Sequence, residues 1–236
     1  MKLENFDEVS AAFDKAVEGC VYRCCDVAGA TFSFSVPAGY TRAEFISALF
    51  AREGAVPKKV MKDLRKYAKR MGMFFEEDSL AFCETLSFSS NPAALECFAI
   101  DNKGPCGLVS ITAGVMPPDD EDKELWAHID LGSVYVAKDC RGKGIMPALV
   151  DMVGAALGLG FEAALNLLPE SLPLEVVAYG EVHSISGYKY AESFMAELGI
   201  QLGFQEQAPD VDVNTWEWVS ADIDGRKISI SPDIGD

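Results

Sequence analysis

The chain has 236 residues and a mass of 25.5 kDa, with 49% hydrophobic and 24% charged residues. A chain of this length buries roughly 70–75% of its unfolded surface, so it builds a core without staples, and its composition excludes wholesale disorder. The net charge of −17 excludes a general polyanion binder, whose phosphate contacts come from clustered Lys and Arg; a cationic substrate and simple solubility both fit the excess acid.

In chain order, Phe6, Val9, Phe13 and Val17 recur at helical spacing and predict a helix over 5–17. β-rich runs follow at 20–27 and 31–36, the second alternating Phe32 and Phe34 with serines. Thr41 with Glu44 three residues on forms a capping box, opening a helix to about Arg52 with Phe45, Ile46 and Leu49 as its apolar side. Pro57 suits the first turn of another helix, to 71, striped by Val60, Leu64, Tyr67 and Met71. Between Arg52 and Arg70 eight basic residues face two acids, a local charge of +6 against −23 elsewhere. A solvated helix face and a contact to an anionic partner both account for it; without an aromatic ladder it is not a nucleic-acid site.

A composition shift at 75–90 separates an N-terminal portion, 1–90, from a core, 91–220, with a hairpin and tail at 221–236. Strands are predicted over 95–100 and 108–113, turning at Asp101-Asn102-Lys103-Gly104. A solvated acidic loop at 117–122 precedes a long strand over 128–136. Gly132 interrupts that strand, which signals a bulge or a close backbone approach. Read as one alternating strand, it places His128, Asp130, Gly132, Val134 and Val136 on one face. The remainder reads as a helix over 145–159, a strand over 174–178, a helix over 187–198 and strands over 202–207 and 214–219. Residues 222–230 form a hairpin about Asp224-Gly225, and the last residues are expected to be loose.

The opening MKLENFDEVS carries Glu4, Asp7 and Glu8 and no apolar run, so it does not read as a signal peptide. The most apolar helix, 145–159, falls short of the ~20 residues of a membrane span and carries Asp151. A soluble, cytoplasmic protein with no membrane partner is the expectation. The seven cysteines, an odd number, read as free thiols. Cys20, Cys24 and Cys25 cluster, but no second ligand pair follows at zinc spacing and the two histidines, His128 and His183, are distant. The cluster is read as small buried side chains, and no metal is expected.

The segment that carries chemistry runs from Val134 to Ile145: a strand end, a loop with Gly142 and Gly144, and a helix start. The orphan N–H groups and positive dipole end of a helix N-terminus make an anion site, and glycines let the backbone approach a phosphate. Arg141 and Lys143 add cations, so a diphosphate is the natural guest. A P-loop does not fit, because Met146 and Pro147 follow Gly144-Ile145, and the dinucleotide fingerprint lacks its third glycine. Cys140 lies in the loop, where the helix N-terminus and Arg141 would lower its pKa; with no histidine placed as its base it is read as incidental.

The run Val134-x-Val136 followed by Arg141-Gly142-Lys143-Gly144-Ile145 resembles the acyl-CoA signature of the GNAT superfamily of N-acyltransferases, and the resemblance extends over roughly residues 94–219. It implies an α/β (α+β) fold: a mixed, mostly antiparallel sheet flanked by helices, here with an extended N-terminal portion bordering the acceptor site. The implied cofactor is acetyl-CoA. Its diphosphate would lie on the N–H groups of Arg141, Gly142, Lys143, Gly144 and Ile145, and its pantetheine arm along Val134, Tyr135 and Val136 of a splayed strand. Ala191-x-x-Phe194-Met195-x-x-Leu198-Gly199-Ile200 is similar to a second segment of the family, but Met195 stands where many members carry a proton-donating tyrosine. Tyr188 is two helical turns away on the same face and is the replacement considered, beside a plain packing role or water. Asp130 falls at the family's common carboxylate position and is the implied base, with His128 as alternative and a strand-end role as the plain reading. The implied reaction is direct acetyl transfer to a primary amine of a small molecule or protein, cationic in one reading, with a homodimer left open. The alternative is a non-catalytic acyl-CoA-binding or regulatory module.

Overall fold

The computed structural model describes residues 6–20, 27–52, 94–116, 124–169, 172–181, 185–204, 219–223 and 226–235. The strand expected over 20–27, the helix over 57–71, the acidic loop over 117–122 and the strand over 214–219 fall wholly or largely outside them. The first helix, α1 (Phe6–Glu18), buries the predicted stripe: Val9 and Phe13 are buried, with Phe6 and Val17 packed against the core. Strand β1 (Thr31–Ser33) is shorter than expected, because the Ser35 N–H turns back onto the Ser33 hydroxyl at 3.0 Å and bends the chain. Helix α2 (Arg42–Ala51) opens on the predicted capping box. The Thr41 N–H donates to Glu44 at 2.8 Å, and the Glu44 N–H to the Thr41 hydroxyl at 3.3 Å.

Strands β2 (Ala94–Asp101) and β3 (Gly104–Met116) form the predicted hairpin, and the Asp101 carboxylate accepts the Lys103 N–H at 2.8 Å in its turn. With β4 (Leu125–Val136), β5 (Leu174–Glu181), β6 (Val219–Ile223) and β7 (Arg226–Gly235) they make a seven-stranded sheet in the order β1-β2-β3-β4-β5-β7-β6. Only β4–β5 and β5–β7 run parallel. Helices α1 and α3 (Ile145–Leu165) cover one face. Helix α2 covers the other, with Phe45 edge-on to Phe98 at 5.1 Å and Phe50 against Tyr135 at 4.4 Å. Helix α4 (Ile185–Gln201) packs beside α3. The mixed, mostly antiparallel α/β architecture is the one expected.

Three expectations change. Helix α3 runs to Leu165 and is long and apolar enough to cross a membrane, but its apolar side chains, Leu149, Met152, Val153, Leu157 and Phe161 among them, are buried inside the fold. Buried Arg226 donates to the carbonyl of the helix's last residue, Leu165, and to those of Leu168 and Leu172 in the segment beyond it. No strand starts at Leu202: that residue and Gly203 (φ +81°) close α4, and Phe204 is buried behind them, so a left-handed cap ends the helix where an apolar triplet suggested a strand. The chain end is not loose either. β7 lies between β5 and β6, in register from Leu174↔Ile228 to Glu181↔Gly235.

The largest correction concerns β4. Thr112 opposes Asp130 and Ser110 opposes Ser133, so Ile111 alone spans both Leu131 and Gly132. This is the bulge that Gly132 signalled: its φ is +45°, and a Cβ there would run into the Ser110 carbonyl. The extra residue inverts the alternation. His128 and Asp130 share a face with Tyr135, whereas Val134 and Val136 share the opposite one with Ala127 and Ile129.

Candidate active site

The glycine loop hangs from a pinned strand end. The Ala137 N–H donates to the Cys106 carbonyl on β3 at 2.9 Å, and a 3₁₀ turn (Lys138–Cys140) follows. Gly142 at φ +74° and Gly144 at φ +83° then feed the chain into α3, with Gly144 as N-cap and no side chain capping the helix. The N–H groups of Gly142, Lys143, Gly144, Ile145 and Met146 take no backbone partner among the described residues; Pro147, third in the helix, has none to offer and so costs nothing there. The loop is exposed from Arg141 to Gly144, and a Cβ at Gly142 would meet nothing within 4 Å. Unpartnered N–H donors in an exposed loop at the positive end of a 21-residue helix are an arrangement that can hold an anion.

Arg141 differs from the expectation that it faces the anion. Its N–H closes the 3₁₀ turn onto the Lys138 carbonyl at 3.4 Å. Its Nε donates to the Val136 carbonyl at 2.9 Å, and its guanidinium lies 5.9 Å from the Tyr135 ring centre. Arg141 therefore braces the strand end, and the donors without a backbone partner among the described residues begin at Gly142.

Beside the loop, two neighbouring strands part. β4 and β5 pair from Leu125↔Leu174 to Asp130↔Tyr179 and no further. β4 continues to Val136 on β3, and β5 continues to Glu181 on β7. Because Ala137 turns its N–H to β3, the alternation of an antiparallel ladder turns the backbone groups of Val134 and Val136 toward the opening. This wedge offers an edge to a strand-like ligand. Tyr190, buried in α4, donates its hydroxyl to the Leu131 carbonyl at 3.1 Å, where the strands diverge. Burial, with Asp130 nearby, raises its pKa and holds its proton. Sequence reading missed Tyr190. Its signal was the helical spacing with Phe194, whose ring centre lies 6.2 Å from its own.

At the apex Asp130 is exposed, and its Oδ1 accepts the Gly132 N–H at 2.9 Å. The same carboxylate thus braces the bulge and faces solvent. His128, on the same face, has a buried Nδ1 with no hydrogen-bond partner among the described residues. Tyr179, 39% exposed, is Asp130's neighbour across the last strand pair. Tyr188 lies in the first turns of α4, and its side chain is outside the described residues. Met195 is buried in the core.

Asp101, Cys106 and Cys140 bring a carboxylate and two thiols within 4.8 Å of one another. The Arg52 guanidinium already supplies the positive charge there, 2.6 Å from the Asp101 carboxylate and 3.2 Å from the Cys140 sulfur. Arg52 holds the Asp101 carboxyl below the usual range and that of Asp139 down at about 2, with Lys103 assisting at Asp139. The expected lowering at Cys140 is reversed. Burial pushes its thiol up, Arg52 opposes this and Asp139 adds to it. Burial likewise pushes Cys106 up to about 12. Both shifts disfavour the thiolate, the reactive form of cysteine.

No family model matches the chain and no curated protein does. Among solved structures it is similar to a ribosomal-protein-alanine N-acetyltransferase from Brucella melitensis biovar Abortus 2308, at 21% identity over 56% of this chain and 82% of that one, with a TM-score of 0.32. It is also similar to a predicted acetyltransferase from Clostridium acetobutylicum solved with acetyl-CoA, at 16% identity over 70% of this chain and 88% of that one, TM-score 0.34. The glucosamine-6-phosphate N-acetyltransferase of Arabidopsis thaliana is similar at 10% identity over 70% and 89%, TM-score 0.28. At such scores the site is read from this chain's own geometry: the parted strands, the glycine loop and the helix that follows it.

Proposed function

We propose that the protein is an acetyl-CoA-dependent N-acetyltransferase acting on a primary amine. The observation that carries this reading is the coincidence, on one strand, of two binding surfaces. β4 leaves β5 after Asp130, and the same strand ends in the Gly142–Gly144 loop at the start of α3. A ligand with a strand-like amide arm joined to a diphosphate spans both. The Val134 backbone and the Val136 N–H pair the arm, while Gly142, Lys143, Gly144 and Ile145 hold the diphosphate. The Val136 carbonyl is held by Arg141, which limits pairing to the more apical part of the edge.

When bound, acetyl-CoA supplies an activated acetyl thioester. This chain's residues position it against the apex and hold it from two ends, which converts an encounter into an oriented approach. Asp130, exposed beside the divergence point, takes the amine's proton directly or through one water. Tyr190 holds the Leu131 carbonyl and with it the strand geometry, so it is a brace rather than a proton donor. Tyr188, or water in its place, would supply the proton that the departing thiol needs. The excess acid of the chain favours a cationic acceptor.

Calorimetry with acetyl-CoA followed by thiol release against a panel of primary amines tests this. Micromolar binding and amine-dependent release are expected; absence of CoA binding overturns the proposal. The buried Met195, with no hydroxyl to give, favours one second reading, a non-catalytic acyl-CoA-binding module. Binding without thiol release for any amine would select it.

A further inference from the structure

We propose that Arg52 is the positioning residue of the diphosphate loop, so that the end of α2 sets the affinity for the cofactor; this rests on the reading of that loop as a CoA site. Arg52 is the C-cap residue of α2, and its side chain is only 11% exposed. All three guanidinium nitrogens are engaged. Nη1 and Nη2 donate to the Asp101 carboxylate at 2.7 and 2.6 Å. Nε and Nη2 donate to the two oxygens of Asp139 at 3.0 Å each. Nη1 also reaches the carbonyls of Gly104 and Pro105 at 3.1 and 3.2 Å, and Nη2 the Cys140 sulfur at 3.2 Å. One planar fork thus joins three segments that are far apart in sequence: the end of α2, the β2–β3 turn and the 3₁₀ turn just before Gly142. A lysine could not replace it, because a single ammonium cannot grip two carboxylates side by side.

The arrangement also settles a conflict of charge. Asp139 lies three residues before Gly142, where a carboxylate would repel a diphosphate. Arg52, together with Lys103 at 3.3 Å, neutralises it and turns it into an anchor. The 3₁₀ turn is then tied to the hairpin through Arg52, which fixes the point from which the N–H groups of Gly142 and the residues after it set out.

Removing Asp139 separates anchoring from simple electrostatics, because the two predict opposite signs. Loss of a negative charge near the loop should tighten anion binding; loss of the anchor should weaken it. Asp139 is 39% exposed, so its substitution leaves the Arg52–Asp101 pair and the core in place. The test is calorimetry of CoA on wild type, Asp139→Ala, Asp139→Glu and Arg52→Met, each with a thermal melt. Expected are a CoA Kd about tenfold weaker in Asp139→Ala at a near-wild-type melting temperature, most of the affinity kept in Asp139→Glu, and a larger loss in any Arg52→Met protein that folds. A Kd in Asp139→Ala equal to or tighter than wild type overturns the inference. Wild-type protein that binds no CoA overturns instead the functional reading beneath it.

Discussion

The two ends of the wedge are built on different principles. At the loop end the chemistry is backbone: N–H groups presented by Gly142, Lys143, Gly144 and Ile145, with side chains serving as braces at Arg141, Asp139 and Arg52. At the apex the proposed chemistry is side chain: Asp130, which shares one face of β4 with His128, set relative to Val134 by a bulge of one residue. A backbone site tolerates changes in its neighbours as long as φ and the helix start survive. A side-chain site fails when register slips by one. The two ends should therefore break in different ways.

The largest effect is expected from Gly132→Val, which strikes where the two ends join. The left-handed φ costs a non-glycine residue about 1–2 kcal/mol, and crowding against the Ser110 carbonyl adds about 1–3 kcal/mol. Relief comes only by expelling the bulge, and a one-residue slip moves either Asp130 or Val134 to the wrong face. A drop of roughly 2–5 kcal/mol by denaturant unfolding is expected, together with loss of turnover. Unchanged stability would show that the apex does not depend on the bulge.

That dependence also explains what the sequence disclosed and what it withheld. The capping box at Thr41, the turn at Asp101–Gly104 and the strand-to-helix turn through Gly142 and Gly144 rest on residues within a few positions of each other, and these local backbone features are found as read. Gly132 announced a bulge, yet its consequence for parity was out of reach, because it depends on which β3 residue stands opposite. The partners of Arg52 lie 49 and 87 residues away, and the parallel docking of β7 on β5 joins segments about fifty residues apart. Neither leaves a periodic trace. The start of the strand expected over 202–207 misled for a local reason: Leu202 and Phe204, buried on either side of Gly203, suit a helix cap as well as a strand.

Next in size is Asp130→Asn, which tests the apex alone. Asparagine keeps an oxygen for the Gly132 N–H and removes the charge, so the bulge survives while the base is lost. Turnover is expected to fall about 100-fold at neutral pH, with the deficit shrinking as pH approaches that of the free amine, about 10.4 for a lysine-like acceptor. Parallel pH–rate profiles for wild type and variant would remove Asp130 as base. Gly142→Val is the matching test of the loop. Its Cβ meets open space, so the cost is the left-handed strain of about 1–2 kcal/mol, relieved by moving the donors. CoA binding is expected to weaken about tenfold with little change in turnover at saturating CoA. A variant that loses turnover and keeps affinity would erase the division between the two ends.

The smallest effect expected is none, and it separates the ends most cleanly. Asp139 is held at about 2 by Arg52 and Lys103, and Asp101 is also lowered. For a carboxylate with a depressed folded pKa, the stabilisation is complete above the ordinary value near 3.8 and disappears as pH falls through the folded value. The ion pairs that anchor the loop are therefore intact at every pH above about 5, and affinity should be flat there. Dephospho-CoA is the suitable probe, since its diphosphate diester stays ionised throughout that range and no terminal phosphate titrates. Its Kd is expected to be constant from pH 6 to 9, measured by calorimetry in buffers of equal ionic strength, while kcat/KM climbs with deprotonation of the amine. A Kd that changes across that range would mean that a group other than the Arg52 carboxylates holds the loop, and the backbone end would then share the pH sensitivity of the apex.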